Sequence, residues 1–537
     1  MKKTRYILFL LVTAIAVFVA CNKRTPTWDT QILAPIVNTS MSVNNLVTGT
    51  TVKANPDSSV TIVYSDSLYT LNQDSLFRIP DTTVLFAFPS PITTTVSPGG
   101  TIYSSTTTSK YGVSSVQLTE AIIKSGFVKF EVISHVHGLT DFSYTAPGAT
   151  LSGNPLSFTM KVPAATGTSP GIDSIILPLD GYKIDFTGPS HNSYNLLTTI
   201  VNGILDPSAP PTVVNAGDSL IVRTTFYSLV PYYGQGYFGK SVRNIGPKTT
   251  AFPLFKKFTS GSLSLQDVTV NFTLKNGFGV DASINISQLT SLNRAGAAVS
   301  LTDPAIIGNT IHINRATQTY NPAAPVNPTV QTFTIDPSNS NILAWVDNLP
   351  VNVQTALQIT TNPLGNVSGS NDFAFYGYGI QAYLDVTVPL SLVASNLTLA
   401  DTVAVNYGSG STSFQQIKSG TFTLYATNDF PFSAGMQIYL LDGTNTHIID
   451  SIMLPNQSIA AGTTDATTGK VISPVNSQLV IQLNVNQAKE LFNTKNIIIT
   501  SRFNMNCPTC IPAFSKIYDY YYLNLKLVGN FDYQVKG

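Results

Sequence analysis

The chain has 537 residues, too many for one hydrophobic core, so three or four domains of ordinary size are expected. Charged residues are 11% of the chain against a usual share of roughly 25%, and 29 basic residues nearly cancel 28 acidic ones. That balance argues against nucleic acid as a partner, and polarity carried by Ser, Thr, Asn and Gly points to turn-rich β structure.

At the N-terminus Lys2, Lys3 and Arg5 form a basic head, and Ile7 to Ala20 form a mostly apolar run. The run is short for a membrane span and suits a signal peptide over residues 1–20. Phe18-Val19-Ala20-Cys21 resembles a bacterial lipobox, with Phe18 where Leu is usual. The resemblance implies cleavage before Cys21 and acylation of Cys21 with palmitate-like chains, which would hold the protein at a membrane. Asn22 stands where inner-membrane lipoproteins carry Asp, so the resemblance implies the outer membrane. The basic stretch from Asn22 to Pro26, in place of an acidic cluster, favours its periplasmic face. Asp followed by Ser or Thr and an aliphatic residue or Thr resembles the O-glycosylation sequon of exported Bacteroidota proteins. It occurs at Asp66, Asp74, Asp81, Asp173, Asp218, Asp401 and Asp450.

Residues 21–110 read as a tether and a short N-terminal β segment. Val60 to Leu71 alternates as a strand, whereas Ser90 to Ser109, poor in large apolar residues, reads as an exposed connection. Three related modules are expected after it, at residues 111–250, 251–393 and 394–537. Their anchors, His135, Asn276 and Asn428, follow alternating apolar runs at near-regular intervals. Ile172 to Pro178 and Ile449 to Pro455 differ only at Ile176 and Met453, which suggests duplication of the first and third modules. Asn192-Ser193, Asn339-Ser340 and Asn476-Ser477 precede helical candidates at Tyr194–Gly203, Asn341–Pro350 and Asn486–Asn493. The expected fold is therefore mainly β: three sandwich-like β modules in tandem, each with about one short helix. The apolar strand ending in Asn resembles immunoglobulin-like modules of the late-embryogenesis-abundant type, a likeness that carries no function here.

No motif assembles a catalytic site, and a non-enzymatic role is expected. His135 and His137 share a strand face near Asp141, but the matching positions Phe278 and Phe430 argue for packing rather than metal. Cys507 and Cys510 are expected to close a small disulfide in an exported protein. Gly234 to Gly239 matches a dinucleotide pattern by letter, yet no βαβ context surrounds it, so a glycine-rich turn is expected and no cofactor. Late in each module come aromatic clusters, with Tyr232, Tyr233, Tyr237, Tyr376, Tyr378, Tyr520 and Tyr521 as candidate binding residues. The leading expectation is an outer-membrane lipoprotein acting as a scaffold or accessory subunit for an envelope protein. A surface glycan-binding protein of a polysaccharide-uptake system is the alternative, and a hydrolase the third.

Overall fold

The computed structural model describes residues 27–43, 51–73, 79–112, 116–319, 321–404, 417–453, 458–505 and 514–536. Cys21, Cys507, Cys510 and the Asp74 sequon lie outside the described residues. The protein is mainly β, built as three sandwiches that share one order of eight principal strands, the fifth of the second sandwich being split in two and the third sandwich gaining one added strand. No described helix is long and apolar enough to cross a membrane.

Sandwich A is continuous in sequence, with strands Thr82–Pro89, Thr101–Lys110, Gln117–Ser134, Thr140–Leu151, Asn154–Val162, Gly171–Pro178, Leu196–Leu205 and Ser219–Tyr237. Its primary sheet runs first, eighth, third and sixth strand; its secondary sheet runs second, seventh, fourth and fifth, every pair antiparallel. Sandwich B repeats this order. Val60–Asn72, Gly379–Pro389, Thr269–Asn276 and Thr329–Ile335 make its primary sheet. Ser241–Ala251, Asn352–Thr361, Ala282–Leu292 and the short Ala298–Ser300 and Thr310–Ile313 make its secondary sheet. In sandwich C the primary sheet is Thr27–Ser42, Tyr522–Lys536, Ile417–Asn428 and Val475–Leu483. Ser391–Ala404, Asn496–Met505, Phe432–Leu441 and Ile448–Met453 form the secondary sheet, with Phe258–Leu265 added beyond Ser391–Ala404.

The first strands of C, B and A follow one another along the chain, and the remaining strands then come in the order A, B, C. The sandwiches are thus nested: A is inserted between the first two strands of B, and B with A between the first two strands of C. Residues 21–110, expected as a separate segment, instead supply the first strand of every sandwich. Part of the expected exposed connection, Thr101–Lys110, is the second strand of A. Its Ser/Thr-rich outward face lowers its hydrophobicity without breaking the period of two.

Strand formation follows alternation. In Thr269–Asn276, Val270, Phe272 and Leu274 point inward while Thr273 and Lys275 point out. In A the core joins both sheets through Phe130, whose ring centroid lies 4.4 Å from that of Tyr144 and 4.6 Å from that of Phe158. One continuous hydrophobic cluster runs through all three sandwiches.

Helix α1, Ile342–Asp347, and helix α2, Val485–Asn493, connect the sixth and seventh strands of B and C. Trp345 of α1 is buried, and α2 starts with a capping box between Asn484 and Gln487. Sandwich A has no helix there. Its connection carries Lys183–Asp185, which pairs with strands of both sheets. The expected helix at Tyr194–Gly203 is mostly the seventh strand, alternating in burial throughout. Four consecutive β-branched residues, Thr198 to Val201, favour that outcome.

Asn276 and Asn428 end the third strands of B and C and make the same three hydrogen bonds. The side-chain amide of Asn276 donates to the carbonyls of Val280 (2.8 Å) and Asn314 (2.9 Å), and its Oδ1 accepts from the Phe278 N–H at 3.0 Å. Asn428 donates to Phe432 and Ala460, both at 2.8 Å, and accepts from Phe430 at 3.0 Å. In A the equivalent residue is Ser134, not His135, because Ser134 ends the strand and its Oγ accepts from the Val136 N–H at 3.2 Å. The carbonyls of Val136, Phe278 and Phe430 each accept a backbone N–H, from Ala165, Ala316 and Gly462. The anchor expected at His135 is thus displaced by one residue. The near-identical heptads also occupy non-equivalent places: Ile172–Pro178 lies in the sixth strand of A, whereas Ile449–Met453 lies in the fifth of C.

Candidate functional site

The tyrosines picked out by sequence divide between two junctions. Tyr232, Tyr233 and Tyr237 lie on the eighth strand of A, whose residues Tyr233–Gly236 pair with the short strand Asp372–Phe375 of B. Tyr233 is buried against Phe375 at 4.7 Å, Tyr232 meets the same ring edge-on at 5.8 Å, and Tyr378 approaches it at 6.5 Å. Tyr376 is exposed and carries the Lys124 ammonium 3.2 Å from its ring centre. Tyr237 is half-buried. Beside this cluster Asp372 is fully buried, accepting from Asn362 Nδ2 at 2.6 Å and the Phe238 N–H at 3.1 Å. Arg315 reaches Asp372 at 3.5 Å and Asp281 at 2.5 Å, so one cation serves two carboxylates. Hydrogen bonds from Arg315 oppose desolvation at Asp281 and hold its carboxyl below the ordinary range. This network joins A to B.

Tyr520 and Tyr521 lie where C meets the first strand of B. Ser59 bridges to Tyr518, and the Asp519 N–H donates to the Ser58 carbonyl. Tyr521 is buried, its hydroxyl accepting from the Val471 N–H at 2.8 Å, and burial raises its pKa. Tyr520 is exposed and stacks with Tyr518 at 5.6 Å beneath Lys470.

His135 and His137 flank the buried Val136 and contact Ser219 Oγ (3.1 Å) and the Ala165 carbonyl (2.9 Å). Among the described residues no group of three or more His, Cys, Asp and Glu is arranged to hold a metal. The expected glycine-rich turn is strand through Tyr237, with a register shift between Gln235 and Gly236. A Cβ on Gly236 would lie 2.1 Å from the Gln117 carbonyl oxygen, so the glycine serves close strand approach.

A different surface has the geometry of a binding site. On the outward face of the primary sheet of C, Asn38, Lys526, Tyr425 and Gln478 stand directly opposite one another across all four strands. The next row is Ser40, Asn524, Thr427 and Asn476. All of these but Ser40 line a shallow depression of about 500 Å³ in which Lys526 is the one charged side chain. Tyr425 is 46% exposed and has no ring partner among the described residues. Its neighbours Phe422, Leu424 and Ala426 are buried, so the strand is fixed by its inner face while its outer face is free for recognition. The amides supply paired donors and acceptors at strand spacing. Sequence reasoning missed Tyr425; the available signal was one aromatic among outward threonines in TFTLYAT, Thr421 to Thr427.

No family model and no curated protein matches the chain. Among solved structures, a candidate secreted protein from Parabacteroides distasonis is 13% identical over 55% of this chain and 87% of its own, with a TM-score of 0.26. The PBCV-1 virus capsid is 8% identical over 55% of this chain and 94% of its own, at 0.12. A structure of infectious bursal disease virus, Gx strain, is 8% identical over 94% and 82%, at 0.13. Likenesses this slight carry no argument about this chain.

Proposed function

We propose that the protein is a non-catalytic, glycan-binding lipoprotein of the outer membrane, anchored through acylated Cys21 and binding polysaccharide on the outward primary sheet of sandwich C. The observation that carries the reading is the exposed Tyr425 ring set among Asn38, Gln478, Asn476 and Asn524. A sugar ring has an apolar C–H face that packs on an aromatic ring, while its hydroxyls exchange hydrogen bonds with amides. A shallow, rigid sheet suits an extended polymer better than a small molecule, which takes an enclosed pocket. Of the aromatic residues expected to serve a protein partner or a glycan, buried Tyr233 and Tyr521 serve the junctions between sandwiches, so the glycan reading is placed on Tyr425 instead.

The test is titration of the purified protein against a panel of soluble polysaccharides. Tyr425→Ala is expected to weaken binding by about tenfold, the loss of one good stacking contact, while Tyr376→Ala leaves it unchanged. Equal binding by the Tyr425 variant, or no binding across the panel, overturns the assignment. Protease treatment of intact cells then decides the membrane face: cleavage places the site outside, where polysaccharide is met directly.

A further inference from the structure

The primary sheets of the three sandwiches carry the same pair of residue types on their two central strands. In C, Lys526 stands directly opposite Tyr425. In B, Lys275 stands opposite Gln381 and Tyr383 opposite Thr273, which makes Lys275 and Tyr383 diagonal neighbours across strands, about 7–8 Å apart. In A, Lys129 stands opposite Thr225 and Tyr227 opposite Phe127, the same diagonal.

The surroundings differ. In A the pair is quenched: Lys129 lies 3.5 Å from Glu131, Arg223 engages the same carboxylate at 2.5 Å, and Tyr227 is stacked on Phe127 at 5.6 Å. In C and B neither Lys526 nor Lys275 has a carboxylate within ion-pair distance among the described residues. The roles are exchanged between the two sandwiches, lysine on the eighth strand and tyrosine on the third in C and the reverse in B, but in both an ammonium without an ion pair among the described residues stands beside a tyrosine on the central strands of the outward primary sheet.

We infer that the outward primary sheets of C and B are two subsites for an acidic polysaccharide, each binding a sugar face on tyrosine and its carboxylate on lysine. The inference rests on the glycan reading above and adds ligand charge and a second site. One polymer that engages both gains avidity over either alone.

The experiment measures binding of the purified protein to polygalacturonate, to neutral dextran and to poly-L-glutamate, a polyanion without sugar. Polygalacturonate is expected to bind best and to weaken between about 50 and 300 mM NaCl, as exposed charge pairs are screened. Lys526→Gln and Lys275→Gln are each expected to weaken it about two- to fivefold, and the double variant by about their product, because the two subsites multiply in one bivalent complex. Lys129→Gln serves as the control and is expected to change nothing. Dextran binding as tight and insensitive to all three substitutions overturns the acidic ligand while sparing the glycan reading. Failure of both polysaccharides removes both readings. Poly-L-glutamate binding equal to polygalacturonate removes the sugar platform, and an effect of Lys526 alone removes the second site.

Discussion

The anchor asparagines show what one side chain contributes to this fold. Asn428 is buried and closes the turn from the third to the fourth strand with one acceptor and two donor contacts. Asn428→Ala would leave the Phe432 and Ala460 carbonyls and the Phe430 N–H buried with lost partners, a cost of about 2–4 kcal/mol. Asn428→Asp is expected to cost at least as much, because a carboxylate oxygen would face two carbonyl oxygens. Denaturant unfolding at neutral pH checks both, with exposed Asn476→Ala expected to cost under about 0.5 kcal/mol. The role of Asn276 and Asn428 was legible because both follow an alternating strand and precede a buried Phe. In A the same place holds Ser134, whose single bond leaves no motif to see, and His135 took its place in the reading.

At the scale of elements, α1 couples two sandwiches. Its Asp347 accepts from the Leu265 N–H at 3.1 Å, and Leu265 ends the strand added to the secondary sheet of C. Burial pushes the Asp347 carboxyl up from its ordinary 3.8 to about 6, only partly offset by that hydrogen bond. Because the folded-state value is raised, the contribution of this group to stability is complete below about pH 3.8 and is lost as pH rises through about 6. Asp347→Asn keeps an oxygen for Leu265 without the buried charge. It is expected to raise stability by about 1 kcal/mol above pH 7, after allowance for the half-exposed position, and by nothing near pH 4. Melting temperatures of both proteins across that range give the check. Helices α1 and α2 were legible as helical stretches, but not from their caps: the pair Asn476-Ser477 expected to cap α2 lies in the sixth strand of C and Asn484 caps it, while Tyr194–Gly203 offered a similar pattern with β-branched residues that prefer a strand. The matched heptads misled for a physical reason: seven alternating residues specify an extended segment, and only partners distant in sequence decide which sheet receives it.

At the scale of the whole molecule the nested order was invisible, because pairings such as Thr27–Ser42 with Tyr522–Lys536 leave no local trace. Alternation marked a strand at Val60 to Leu71, whereas Thr27–Ser42 lay in the stretch read as a tether, so neither that strand nor its pairing with the far end of the chain was visible. The arrangement nevertheless has a sharp consequence for fragments. Sandwich A holds all eight of its strands between Thr82 and Tyr237, so a fragment of residues 79–239 should fold alone. Residues 394–537 include the last six strands of C but lack Thr27–Ser42, whose removal strips Tyr522–Lys536 of one neighbour and exposes an edge. That fragment is expected to aggregate or to unfold without cooperativity. Appending residues 27–42 through a flexible linker, together with residues 391–393 to complete Ser391–Ala404, should restore a cooperative transition, followed by circular dichroism on heating. Cooperative folding of 394–537 by itself would mean that the N-terminal strand decorates sandwich C rather than completes it, and the three units would then behave as a simple row.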